Sequence, residues 1–244
     1  MSVILRKELA LMGRSPALWC VLGILFVLIA WQFIGRIDPW LLLQPELAKL
    51  PAAPGVTESV IAPAFNATAW ALLLLAPLLA MRLLSEEKRQ RTLALLISAP
   101  ISLRQIVLGK FFSLLVLLGV MVLFSMLLAA SLRFGGALDW GLIASNLLGL
   151  ILFAAFIAAF SLFVSALSLH PLMAAIAALL LLFLLTQLPA FTGDSKWLPL
   201  ISPLYHFEPF NLGVLDFTAC IYFVLLTLVF LLLTVAALDR AKRY

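Results

Sequence analysis

The sequence predicts an all-α polytopic membrane protein with six transmembrane helices and both termini in the cytoplasm. Three observations carry this expectation. Apolar residues make up 65% and charged residues only 11% of the 244 positions, whereas soluble domains are about half apolar and about a quarter charged. The apolar residues gather into six long runs, and the basic residues crowd the connections on one side. At roughly 20 residues per crossing, six spans take up about half the chain. Residues 1–244 therefore read as one transmembrane domain with only short connectors.

The elements follow in order. Within 1–16, Leu5, Leu9 and Met12 fall on one side of a helical wheel and Arg6, Lys7 and Arg14 towards the other. This reads as an amphipathic helix lying in the inner interface; a plain positively charged anchor would need only the charges. Spans are expected at about 17–35, 64–84, 107–132, 140–169, 171–190 and 217–238. The first lacks a small-residue cleavage site at its end, so it reads as a permanent helix rather than a signal peptide. The fourth and fifth are separated only by Leu169-His170-Pro171, where proline favours a tight turn over one very long helix. Residues 36–63 hold five prolines and Gly55, which predicts little regular structure beyond a short helix around residues 45–50.

An even number of spans puts both termini on the same side as the 82–110 connection. Twelve of the 16 basic residues fall on that side, and six of those twelve lie within 82–110. This is the bias expected of a cytoplasmic face. The net charge of +5 divides into +8 on this face and −3 on the other. Cys20 and Cys220 fall near opposite faces, too far apart to pair, and read as packing residues.

Several classes of function find no support. Acidic and basic residues are absent from the six runs except near their ends, although ion-coupled carriers and charge-selective pores rely on such groups. No hydrolase or metalloprotease motif occurs. His170 and His206 lie in separate connections on opposite faces, so no metal site is expected. Nucleic acid is not an expected partner, and no catalytic, cofactor-binding or metal-binding residue is assigned. The small residues Ala154, Ala155, Ala158, Ala159, Ser161 and Ser165 form a stripe that permits close helix approach, within the chain or between subunits.

The connection at 85–106 is the informative one. The charged cluster Glu86, Glu87, Lys88, Arg89 and Arg91 is followed by Leu93, Leu96 and Ile97 at helical spacing, then by Pro100. An apolar face edged by charge needs a cover. Membrane lipid would serve; so would a partner groove with basic groups at its rim for Glu86 and Glu87.

The stretch Met81-Arg82, Glu86-Glu87, Thr92-Leu93, Leu96, Ala99-Pro100-Ile101-Ser102 and Ile106-Val107-Leu108-Gly109-Lys110 resembles the corresponding segment of ABC-2 type transporter permeases. The similarity is greatest to the gliding-motility branch, which includes the permease of the nitrous oxide reductase maturation system. His206-Phe207-Glu208, Phe210, Gly213-Val214-Leu215-Asp216 and Tyr222-Phe223 resemble that branch's approach to its last helix, and Lys7-Glu8 with Ser15-Pro16 resembles its entry. Arg91 and Ala94 depart from the pattern, which has glycine and glutamate there.

The resemblance implies a type V exporter-like permease architecture in a bacterial inner membrane. It implies a cytoplasmic ATPase subunit that carries ATP and magnesium, since this chain has no Gly-x-x-x-x-Gly-Lys-[Ser/Thr] motif. It also implies a second permease chain, most simply a homodimer, and an external accessory protein if the complex transmits motion. On this reading Glu86, Glu87, Arg89, Thr92, Leu93, Leu96, Pro100, Gly109 and Lys110 form the ATPase-coupling surface. Trp197, Tyr205, His206, Phe207, Glu208, Phe210, Gly213 and Asp216 belong to an external element at 191–216, re-entrant as in similar permeases or a plain aromatic belt. The expected function is coupling of ATP hydrolysis on the partner to export or to mechanical transmission. The alternative is a non-transporting membrane scaffold whose loop docks on lipid or protein.

Overall fold

The computed structural model describes residues 2–47, 55–90, 102–134, 138–191 and 199–243. Nine α-helices are found among them: α1 (Ser2–Gly13), α2 (Pro16–Leu47), α3 (Ala62–Leu83), α4 (Ser85–Arg89), α5 (Leu103–Ser131), α6 (Trp140–Leu167), α7 (Pro171–Phe191), α8 (Pro203–Asn211) and α9 (Phe217–Arg243). A π-helical turn, Thr57–Ile61, leads straight into α3. The described residues contain no strand. Five segments are long and apolar enough to cross a bilayer: Pro16–Glu46, Thr57–Arg89, Leu103–Ser131, Trp140–Leu167 and Phe217–Arg240. In α7 the apolar stretch Pro171–Gln187 is shorter.

Helix α6 is the post around which the others stand. It packs against α3, α5, α7, α8 and α9, and its most apolar window is 67% buried, against 28% for α2 and 22% for α9. The small-residue stripe explains this position. Ala154, Ala158, Ala159, Ser161 and Ser165 are all buried inside the chain's own bundle, where their size lets neighbouring backbones approach. Phenylalanines fill the α6–α9 seam: Phe153 meets Phe223 with ring centres 5.9 Å apart, and Phe160 meets Phe230 at 5.0 Å. Helix α6 stops at Leu167, and Pro171 opens α7, a position where proline's missing N–H costs nothing.

The expectation of little regular structure over 36–63 is corrected on both sides. Helix α2 runs through Pro39 and Pro45 to Leu47. The reason is packing: Phe33, Ile37 and Trp40 lie on one stripe of α2 and close on Val56, Val60 and Ala64, while both prolines are exposed. Burying that aromatic and aliphatic surface offsets the roughly 3 kcal/mol that a helix-interior proline costs. On the far side, helical structure already begins at Thr57, whose Oγ1 accepts the Asp139 backbone N–H at 3.0 Å.

Helix α8 is a short plug. Phe207 and Phe210 are fully buried, and Phe210 lies directly over Gly149 of α6. A Cβ added at Gly149 would stand 2.7 Å from both Cβ and Cγ of Phe210. The Gly149→Ala variant is therefore expected to displace α8 and lose about 1–3 kcal/mol, measured as a lower thermal midpoint of the detergent-solubilised protein.

Candidate coupling site

The site is built where α1, the end of α3, α4, the start of α5 and the end of α6 meet. Only Leu84 separates α3 from α4, and its φ of −121° breaks the helix at an elbow. Three hydrogen-bond contacts hold the elbow to α6. The Ser85 backbone N–H donates to Ser165 Oγ at 3.2 Å, Ser85 Oγ donates to the Ser165 carbonyl at 3.0 Å, and the two hydroxyls lie 2.9 Å apart. Lys88 Nζ donates to the Ala166 carbonyl, an acceptor in the last turn of α6 that has no helical partner of its own. A cation there also complements the negative end of the helix dipole.

Lys110, in the second turn of α5, is fully buried. Its ammonium has three donors, and each finds an acceptor: Glu8 Oε1 at 2.8 Å, Glu87 Oε1 at 2.8 Å and the Leu83 carbonyl at 2.7 Å. Glu8 is itself buried, on the same stripe of α1 as Ile4 and Met12. The face of α1 that packs on α5 is thus centred on an ion pair. Arg82 Nη1 donates to Ser15 Oγ at 3.2 Å, joining α3 to the turn between α1 and α2. Helix α5 opens with a capping box, in which Ser102 Oγ accepts from the Gln105 N–H and the Gln105 side chain accepts from the Ser102 N–H.

Of the residues assigned to coupling, Glu87 and Lys110 come together at this junction, and Gly109 is buried beside Lys110 in α5. Glu86 is half-buried and accepts from Gln90 Nε2 at 3.3 Å, and Arg89 is exposed. Thr92, Leu93, Leu96 and Pro100 lie outside the described residues. The Glu87 carboxylate pairs with Lys110 of its own chain. Sequence reasoning missed Glu8, Ser85 and Ser165. The available signals were an acid on the apolar stripe of α1 and a lysine inside an apolar run. A groove of about 520 Å³ opens beside the junction, with Lys7, Arg82, Glu86 and Gln90 among its polar walls and Leu18 and Leu79 among its apolar ones.

At the opposite end of α6, the His206 to Asp216 motif has a structural explanation. His206 stacks on Tyr222 with ring centres 4.0 Å apart and lies 2.8 Å from the Leu200 carbonyl through Nε2. Tyr222 Oη donates to the Ile201 carbonyl at 2.6 Å. Gly213, at φ +79°, closes α8: its N–H bonds the Phe210 carbonyl at 3.1 Å and the Val214 N–H bonds the Pro209 carbonyl at 2.9 Å, a Schellman motif. Asp216 caps α9, its Oδ1 accepting the Thr218 N–H at 2.8 Å. Tyr205 and Glu208 are exposed, and Trp197 lies outside the described residues. Phe207 and Phe210 pack into the bundle, so the motif fastens a short helix to α6 and α9.

The sequence that builds this bundle matches the family described as ABC-2 family transporter protein over residues 2–243. The chain belongs to this family. It is a multi-pass integral membrane protein and a membrane component of an ABC transporter. No curated protein matches the sequence.

The junction yields a direct test. Removing the ammonium leaves Glu8 and Glu87 facing each other in a buried site, so Lys110→Ala is expected to cost about 3–5 kcal/mol. Glu8→Gln, which keeps a hydrogen-bond acceptor, is expected to cost less. Thermal unfolding of the purified variants in one detergent ranks them.

Proposed function

We propose that this chain is the membrane-spanning permease subunit of an ABC transporter, coupling ATP hydrolysis by a separate cytoplasmic ATPase to export or to mechanical transmission. The observation that carries the reading is the elbow at Ser85. It is joined to α6 by the Ser165 contacts and to α1 and α5 by Lys110, in a chain of the ABC-2 family. A push on the 85–106 connection would therefore bear on several helices at once. The adjacent groove, which carries charges of both signs over apolar walls, supports a protein cover for this end.

In this reading α7 supplies the sixth span, both termini face the cytoplasm of a bacterial inner membrane, and α1 lies in the inner interface. Two permease chains, most simply identical, face two ATPase subunits that hold ATP and magnesium. The gliding-motility branch is the one suggested by the loop and by the His206 to Asp216 motif, and α8 forms part of an external, re-entrant lid on which an accessory protein would act. Leu93 and Leu96 provide the apolar contact with the ATPase, and Glu86, which takes no part in the Lys110 ion pairs, meets its basic rim.

Co-expression with a candidate cytoplasmic ABC ATPase tests this. Wild-type chain is expected to co-purify with it, Leu96→Asp to lose it, and Glu86→Lys to reduce recovery at least tenfold while leaving the permease folded. Undiminished recovery with Leu96→Asp would overturn the assignment of the loop.

A further inference from the structure

We propose that the cleft between α2 and α3 binds a membrane phospholipid with a zwitterionic head group bearing a primary ammonium. The cleft encloses about 710 Å³, within the roughly 300–1,000 Å³ of ordinary ligand sites. Its two walls run antiparallel and change polarity in step. Along α2 the lining passes from Leu25, Leu28 and Ile29 to Gln32 and then Arg36; along the other wall it passes from Leu74 and Trp70 to Asn66 and then Glu58. Over roughly 16 Å of helix on the α2 wall and roughly 24 Å on the other, both sides thus go from hydrocarbon to amide to charge. Such a gradient suits an amphiphile lying along the helices and does not suit a compact solute.

The lips of the apolar end are open. Leu28, Leu74 and Trp70 are 54%, 45% and 38% exposed, so in a bilayer the tail of the ligand can enter sideways. The polar end offers both signs of charge. Arg36 and Glu58 line it together, both exposed, and no ion pair joins them. A guanidinium is suited to a phosphate. Beside them, Asn211 at the end of α8 contributes a buried Oδ1 with no hydrogen-bond partner. A carboxylate and a free acceptor together call for a cation that carries N–H donors. A quaternary ammonium would leave Asn211 unserved, and a purely anionic head would face Glu58. This inference rests on the chain's place in the membrane and is independent of ATPase docking, so either can fail alone.

The test uses the full chain with photoreactive benzoylphenylalanine at Leu28, reconstituted in vesicles of equimolar phosphatidylethanolamine, phosphatidylcholine and phosphatidylglycerol. After irradiation, intact-mass analysis identifies the adduct. Phosphatidylethanolamine is expected at least fivefold above its share of the bilayer, and Arg36→Glu or Glu58→Lys is expected to return the adduct to bulk proportions. The same label at Val27, which is 67% exposed but outside the cleft, should report bulk lipid throughout. Bulk proportions at Leu28 in the unaltered cleft would mean annular lipid only, and a covalent dimer would mean that a second copy fills the cleft. Either result, or the absence of any lipid adduct, overturns the proposal.

Discussion

A lysine ammonium withdrawn fully from solvent is tolerated only if its charge is matched and its donors are all used, and in this chain Lys110 meets both conditions through three separate elements. Glu8 belongs to α1, the Leu83 carbonyl to the last turn of α3, and Glu87 to α4. One nitrogen in α5 therefore fixes four helices to one another. None of the three acceptors can be moved far without stranding a buried charge, so the elbow at Leu84 is held in angle as well as in place. The Ser85–Ser165 pair and Lys88 add a second attachment, to α6, which makes the junction a frame instead of a hinge.

The opposite end of the bundle is organised by shape more than by charge. Gly149 has no side chain because Phe210 occupies the space one would need, and the positive φ of Gly213 turns the chain sharply enough for Asp216 to cap α9 five residues after α8 ends. His206 and Tyr222 anchor the preceding turn through the carbonyls of Leu200 and Ile201. Residues that a motif search groups as a signature thus divide into a brace, a plug, a turn and a cap.

Much of the architecture was legible because hydrocarbon imposes a simple rule. Long apolar runs, and the proline at 171 that starts a new helix, are local signals that tertiary packing did not override. Residues 36–63 were misread because proline counts as a breaker only when nothing offsets its cost, and the contacts of Phe33, Ile37 and Trp40 with residues 56–64 are not local in the sequence. The junction was half legible. Its residues Glu87, Gly109 and Lys110 stood out within the loop segment, but Lys110 also pairs with Glu8, about a hundred positions away, and sequence spacing carries no record of such a meeting. The small-residue stripe of α6 was visible, and its burial within the chain was one of the two readings it allowed.

Helix α6 touches both ends of the molecule through contacts of different kinds: Gly149 under Phe210, and Ser165 and Ala166 under the elbow. Sixteen residues separate Gly149 from Ser165, roughly 24 Å of uninterrupted helix, buried for most of its length and therefore stiff. The geometry is that of a lever. A tilt of about 5° about one end of a rod this long displaces the other end by roughly 2 Å, so the seat of Phe210 and the anchorage of the elbow share one rigid support.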